Sequence, residues 1–386
     1  MIDIENLKQS FSQQFGREGA TVFSAPGRIN IIGEHTDYNG GFVLPASIDK
    51  AISVAIAPNG TDTVNLCAID EDHDTVSFKI GVMPEGNGRQ WYKYVFGVIE
   101  EMRERGAKVG GFDAIFGGDV PLGAGMSSSA ALESCFGTAL NAIFNLGFTR
   151  EQLAKIGQMT EHHYVGVRCG IMDQFASLFG QKGKVVRLDC RSLEYELVPF
   201  NPKGCRLVLI DTMVKHSLAS SQYNIRREQC ETGVAVIAKY RPEVELLRDV
   251  TIEELDAHKE EMDPMVYRRC AFVINENKRL MAACAAMEKD DFAEVGRQIY
   301  AAHEGLSKEY GVSCEELDFI VGIAHNHPGV LGARMMGGGF GGCVISLVKD
   351  EAYDAYVADV RAQYKQKFDK DPRVIEVVIS DGARQC

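Results

Sequence analysis

A turn with two glycines, Gly123 and Gly125, runs into three serines, Ser127-Ser128-Ser129, and then into the helix-forming Ala130-Ala131-Leu132-Glu133. Glycine allows the backbone a positive φ and a close approach to a ligand. The first N–H groups of the helix lack intrahelical partners, and its dipole favours negative charge there. Such a junction is a ready anion site. Serine hydroxyls can cap the helix, contact phosphate oxygens or ligate Mg²⁺. The stretch taken alone leaves two readings open: a nucleotide phosphate loop, or a glycine turn with a serine N-cap. It is not a Walker A loop, since no Gly-Lys-Ser/Thr is present. Nor is it a Gly-x-Gly-x-x-Gly fingerprint, since position 128 is serine.

Periodicity places the stretch between a strand and a helix. Phe112, Ala114 and Phe116 alternate along the strand, and Leu132, Phe136, Ala139, Leu140 and Ile143 follow at helical spacing. Ile4, Leu7, Phe11 and Phe15 predict a helix over 3–15. Val22 to Ala25 reads as a strand stopped by Pro26-Gly27, with 28–33 able to extend it. Further strands are expected at 42–45 and 51–56, and a helical stripe at 94–102. Thr149 with Gln152 forms a capping box for the next helix, which carries Leu153, Ile156 and Glu161 and is broken by Gly166 and Gly170. Polar, turn-rich residues from about 190 to 204 suggest a boundary, with lobes of 1–200 and 201–386. A strand at 206–210 opens the second half. Helices follow at about 220–239 and 266–287, then a glycine-rich segment at 334–342. A strand at 343–348, an amphipathic helix from Tyr353 to Tyr364 and a last strand at 374–379 finish the chain. Strands and helices do not alternate strictly. The fold class expected is therefore α+β, with mixed sheets covered by helices, rather than a doubly wound parallel sheet.

The 386 residues suffice for two or three domains. The formal net charge of -13 disfavours broad binding to nucleic acid or anionic membranes, so a small anionic ligand needs locally placed basic groups. No run approaches the roughly 18 apolar residues of a membrane span. The N-terminus lacks a basic segment followed by an apolar one. The eleven cysteines contain no Cys-x-x-Cys pair. Together these features predict a cytoplasmic protein with reduced cysteines packed as small apolar groups.

Four stretches combine glycine with polar residues: 26–41, 121–131, 161–174 and 334–343. In the first, Glu34, His35 and Asp37 form a compact group. Clustered acceptors with a histidine suit a polyol or sugar; a solvated turn is the rival, and a metal site lacks further ligands nearby. Arg28 can aim at phosphate or at a carboxylate, or form a surface ion pair. Glu161 and Asp173 can serve as a metal ligand and a base, or as a helix-surface glutamate and an N-cap. A carboxylate beside a guanidinium or a helix N-terminus is a weak base. Phosphoryl transfer tolerates that, because a loose transition state lets the base accept its proton late. The acidic stretch 70–74 lacks the glycine and glutamate of a calcium loop. His162-His163 and His325-Asn326-His327 lack zinc spacing, and read as structural or surface residues.

Residues 27–41, Gly-Arg-Ile-Asn-Ile-Ile-Gly-Glu-His-Thr-Asp-Tyr-Asn-Gly-Gly, resemble the galactokinase signature. Residues 121–131 resemble the phosphate loop of the wider GHMP kinases, and 335–343 their third, glycine-rich motif. Cys169-Gly170-Ile171-Met172-Asp173-Gln174 is similar to the family's catalytic-aspartate segment. Met126 stands where the family often has leucine, a volume-conserving change. The resemblance implies two α+β lobes with the active site between them, and ATP-dependent phosphorylation of D-galactose at its anomeric hydroxyl. It implies Asp173 as proton acceptor, with Arg28 orienting it and stabilising the transferring phosphoryl group. Glu34, His35, Thr36, Asp37 and Tyr223 would bind the sugar. Gly123, Ala124, Gly125, Met126, Ser127, Ser128 and Ser129 would hold the ATP phosphates. Ser129 and Glu161 would ligate Mg²⁺, and Gly338 and Gly339 would help close the cleft. The expected working form is a monomer, with no nucleic-acid or membrane partner.

Three rivals remain at this level. A kinase for N-acetylgalactosamine or L-arabinose differs by as little as one pocket side chain. A non-catalytic sugar sensor of the same family has a damaged phosphate loop, whereas Ser127-Ser128-Ser129-Ala130-Ala131, Arg28 and Asp173 are all present here. A glycosidase using Glu34 and Asp37 leaves the serine loop unexplained.

Overall fold

The computed structural model describes residues 4–70, 73–84, 90–214 and 219–386, with only the backbone of 219 and 220. Part of the acidic stretch at 70–74 and of the expected loop at 81–90 lies outside the described residues. The first half runs α1 (Ile4–Phe15), β1 (Thr21–Asn30), β2 (Phe42–Val43), β3 (Pro45–Pro58), β4 (Thr63–Ala68), β5 (Asp74–Lys79), α2 (Tyr92–Glu104), β6 (Phe112–Gly118), α3 (Ser128–Ile143), α4 (Arg150–Thr160), α5 (Met172–Phe179), β7 (Lys184–Asp189) and β8 (Tyr195–Pro199). The second runs β9 (Cys205–Asp211), α6 (Ala219–Ile237), α7 (Ile252–Ala257), α8 (Pro264–Met287), α9 (Phe292–Glu304), α10 (Glu315–Asn326), β10 (Val330–Met335), β11 (Cys343–Lys349), α11 (Tyr353–Phe368), β12 (Arg373–Glu376) and β13 (Arg384–Gln385).

The architecture is α+β, in two lobes. A six-stranded sheet has the order β13-β1-β3-β6-β4-β5, antiparallel except for β4 beside β6. On one face lie α3 and α5, with α2 and α4 packed behind α3. On the other, Leu7 and Phe11 of α1 meet Val22, Ala55 and Ile115. The expected capping box starts α4: Thr149 accepts from the Gln152 N–H, and Gln152 accepts from the Thr149 N–H. The second lobe is the antiparallel sheet β10-β11-β9-β12, covered by α9 and α10, with α8 against α9 and α11 against α10. A hairpin sheet, β2-β7-β8, completes the set.

The lobes share a core. Ile29, Ile31 and Leu44 pack with Leu280, Ile299 and Ile345. Each such fully buried side chain contributes roughly 1.5–3 kcal/mol relative to exposure. The cleft walls are thus held together directly.

The strands expected at 42–45 and 51–56 are instead the short β2 and the long β3, and two further strands differ from expectation. β1 is not stopped by Pro26-Gly27 but runs through them, with a register shift between Pro26 and Arg28. The bulge absorbs the proline. A Cβ at Gly27 would stand 2.6 Å from the Met126 carbonyl, and that carbonyl accepts from the Arg28 N–H at 3.1 Å. The sheet is therefore stitched to the glycine–serine loop beside Arg28. The expected strand at 374–379 is shortened to β12. Its continuation crosses to the first sheet, where Ser380 bonds Ser47 and β13 pairs with β1.

Candidate active site

The glycine–serine loop has the backbone its sequence requires. Gly123 and Gly125 take φ of +73° and +75°. A Cβ at Gly125 would stand 3.0 Å from the Met336 carbonyl, so the loop packs on the second glycine-rich segment. Ser127 is left-handed and precedes α3. Ala131 bonds back to Ser127, which leaves the N–H groups of Ser128, Ser129 and Ala130 without intrahelical acceptors. The side chains of Ala124 and Met126 are buried in the shared core, so only their backbone can meet a ligand. The Ser127 hydroxyl does not cap the helix; it donates to Asp173 Oδ2.

Asp173 sits in the first turn of α5 and Arg28 on β1, 145 residues apart in sequence. Arg28 Nε donates to Asp173 Oδ1 at 2.8 Å and Nη2 to Oδ2 at 3.0 Å, a bidentate pair. Its Nη1 donates to the Gly125 carbonyl. One buried guanidinium thus fixes the carboxylate relative to the loop.

The signature residues close the other wall. Glu34 Oε1 accepts from the Gly337 N–H at 2.7 Å and from Arg334 Nη1 and Nη2 at 3.1 Å each. Arg334 is fully buried and also donates to the carbonyls of Asn30, Ile31 and Met335. These bonds turn Oε1 inward while Glu34 lines the cavity. Asp37 accepts from the N–H groups of Tyr38 and Met172. Burial first, and then the charge of Asp173, push its pKa up to about 7. A Cβ at Gly170 would stand 2.0 Å from Asp37 Oδ2, so only glycine fits there. Burial pushes the His35 imidazole down to about 3, so it is neutral. Tyr223 of α6 packs on His35 with ring centroids 5.2 Å apart, and Gly338 lies against its ring. Thr36 departs from expectation. It is fully buried and its hydroxyl shares its one proton between the carbonyls of Gly33, 2.9 Å away, and Phe42, 2.6 Å away. It holds the signature turn together rather than facing the cleft. Gly339 likewise lies against Val312, outside the cavity lining.

Arg28, Glu34, His35, Asp37, Ser129, Glu161, Asp173 and Tyr223 line one cavity of about 240 Å³. Glu161 begins a π-turn at the end of α4 and is almost fully buried. Burial raises its pKa to about 7, the Ser129 hydroxyl that bonds it pulls the other way, and the charge of Asp173 adds to the rise. A buried carboxylate beside a hydroxyl and a second carboxylate suits a hard cation. Among the described residues no group of three or more His, Cys, Asp and Glu is gathered as a metal cage. Mg²⁺ needs none, since it keeps waters and substrate oxygens around one or two protein ligands.

A second cavity of about 320 Å³ adjoins the first through Ser129 and is walled by Ile52, Trp91, Phe116, Val120 and Leu132. It can take a flat apolar ring whose anionic tail reaches the α3 N-terminus. Trp91, unassigned from sequence, is the chain's only tryptophan. Arg334 likewise has no role in the sequence reading, although an arginine within the apolar run 330–335 must be paired once buried.

Comparison with known proteins agrees along the whole chain. Residues 9–58 match the galactokinase galactose-binding signature, 93–181 the GHMP kinases N terminal domain, and 283–366 the GHMP kinases C terminal domain. A galactokinase from Roseiflexus sp. (strain RS-1) is 37% identical over 382 residues, covering 99% of this chain and 97% of that one. The crystal structure of Lactococcus lactis galactokinase complexed with galactose superposes with a TM-score of 0.95 at 33% identity, covering 99% of this chain and 100% of that one. Methanococcus jannaschii mevalonate kinase shares the fold, with a TM-score of 0.66 at 19% identity over 95% of this chain and all of that one.

Proposed function

The chain belongs to the galactokinase family of the GHMP kinases, and from that footing we propose that it transfers the γ-phosphoryl group of ATP to the anomeric hydroxyl of D-galactose, giving α-D-galactose 1-phosphate and ADP. One observation carries the reading. The bidentate Arg28–Asp173 pair lies in a cavity that has the signature carboxylates on one side and the α3 N-terminus on the other.

Glu34, Asp37, His35 and Tyr223 bind the sugar hydroxyls and orient the anomeric oxygen toward Asp173. Asp173 accepts its proton, late in a loose transition state. Arg28 keeps Asp173 in place and offsets charge on the transferring group. The N–H groups of Ser128 to Ala130 and the positive-φ glycines hold the polyphosphate. The base occupies the cavity walled by Trp91 and Phe116. Glu161 and the Ser129 hydroxyl would hold Mg²⁺, which when bound offsets the polyphosphate charge. Positioning and electrostatics supply most of the rate. We propose a monomer as the working form. Eleven unpaired thiols suit a reducing compartment, and we place the protein in the cytoplasm. Among the described residues no helix is long and apolar enough to cross a membrane.

The test is ADP release from ATP and Mg²⁺ with galactose, glucose, N-acetylgalactosamine and arabinose. Galactose-dependent turnover is expected, and Asp173→Asn should lower kcat by roughly 10²-fold or more while nucleotide still binds. Turnover with another sugar alone would move the substrate. Binding of galactose without turnover would overturn the enzyme reading in favour of a sensor.

A further inference from the structure

His35 is tied down at both ends. Its backbone is left-handed, with φ +61°, a conformation that costs a non-glycine residue on the order of 1 kcal/mol or more. Its carbonyl accepts from Asn39 Nδ2 at 2.9 Å. Its Nδ1 stands 2.8 Å from Tyr38 Oη, which stands 2.7 Å from Tyr310 Oη, which stands 3.3 Å from Cys230 Sγ. The Asn39 side chain lies near that sulfur and pulls the thiol down against the rise that burial imposes. All five residues are buried. They come from the signature turn, from α6 and from the turn that follows α9.

The polarity of this chain follows from donor and acceptor strengths. Each hydroxyl has one proton to give, so if Tyr38 donates to the imidazole and Tyr310 to Tyr38, the S–H of Cys230 is left to point at Tyr310. A phenol O–H is a better donor than a neutral imidazole N–H, and an imidazole nitrogen a better acceptor than a phenol oxygen. The links therefore run one way: Cys230 to Tyr310, Tyr310 to Tyr38, and Tyr38 to His35 Nδ1. The imidazole proton is left on Nε2. That atom is buried and meets no acceptor in good hydrogen-bond geometry, on a residue that lines the sugar cavity. The Gly338 carbonyl, an acceptor only, bonds the ring weakly and is the acceptor a sugar hydroxyl would displace.

We propose that Cys230, Tyr310 and Tyr38 are positioning residues that hold neutral His35 in its Nε2–H tautomer, so that it donates a hydrogen bond to a sugar hydroxyl oxygen instead of accepting one. The proposal rests on the reading of His35 as a sugar contact. It gives buried groups far from the reacting atoms a part in substrate binding, by setting which kind of hydrogen bond the pocket offers.

The experiment is ¹⁵N-resolved NMR of the imidazoles in the ligand-free full chain, with the His35 signals identified by their loss in His35→Gln. The wild type should show a bare Nδ1 and a protonated Nε2, and Tyr38→Phe a mixture of tautomers. Tyr38→Phe should also raise the galactose KM about tenfold, the equivalent of one hydrogen bond, with the ATP KM within about twofold. Tyr310→Phe keeps the ring packing and should give a partial mixture and about a threefold rise. An Nδ1–H tautomer in the wild type would overturn the proposal. So would the wild-type tautomer persisting in both variants, or an equal rise in both KM values, which marks a merely structural role. The tautomer is read without sugar, so a failure of galactose turnover would count against the function and not against this chain of bonds.

Discussion

Asp37 sets stability against function. Its pKa moves from the 3.8 of a free aspartate to about 7, first through burial and then through the charge of Asp173, while two backbone N–H groups pull the other way. Between about pH 4 and pH 7 the folded chain therefore holds a proton that the unfolded chain has released. Stability conferred by that proton is present below pH 4, is lost as pH rises to 7, and stays lost above it. At about 1.4 kcal/mol per tenfold in proton affinity, the ionised side chain costs up to about 4 kcal/mol at pH 8. Asp37→Asn keeps the shape and an acceptor oxygen and removes the charge. In urea unfolding of the ligand-free protein, the variant should be more stable than wild type by about 2–4 kcal/mol at pH 8 and equal to it near pH 4. Its galactose KM should rise at least about tenfold, because the amide puts an NH2 donor where the carboxylate offers a second acceptor oxygen to the sugar hydroxyls. Equal stability at pH 8, or a gain that does not vary with pH, would refute the electrostatic account of this site.

Arg334→Met should lose about 3–5 kcal/mol of unfolding free energy by stranding the buried Glu34 carboxylate, and adding Glu34→Gln should restore part of it; additive losses would show that the pair is not coupled. Trp91 fluorescence should change on titration with ADP and stay constant with galactose; the opposite pattern would place the base elsewhere. Gly170→Ala drives a Cβ against Asp37 and should weaken galactose binding by about 1–3 kcal/mol with nucleotide binding intact, as calorimetry would read. The Mg²⁺ concentration for half-maximal turnover should fall as pH rises from about 6 to 8 and Glu161 ionises. In Glu161→Gln that slope should vanish, and its persistence would move the metal.

What could be read in the residues was local. The capping box at Thr149, the turn-to-helix loop before α3 and the stripe Leu132-Phe136-Leu140 each lie within a few turns of backbone. Their hydrogen bonds and periodicity are coded at short range. The hairpin β7–β8 carries little signal in its sequence, because β8 is largely exposed on both faces and has no alternation. The Arg28–Asp173 pair was legible only through resemblance, since the local sequence favoured a surface ion pair for Arg28.

The sequence by itself determined the element types around the glycine-rich turns and which residues had the chemistry to hold phosphate, metal and sugar. Only the tertiary structure decided who meets whom. Glu34 finds Arg334 across 300 residues, Ser127 turns from the helix cap to Asp173, Thr36 faces inward, and the chain end returns to β1. The physical reason is that backbone propensity acts over a turn or two. The pairing of buried charges and the sharing of carbonyls are settled only when two lobes close on a common core and every desolvated polar group must find a partner.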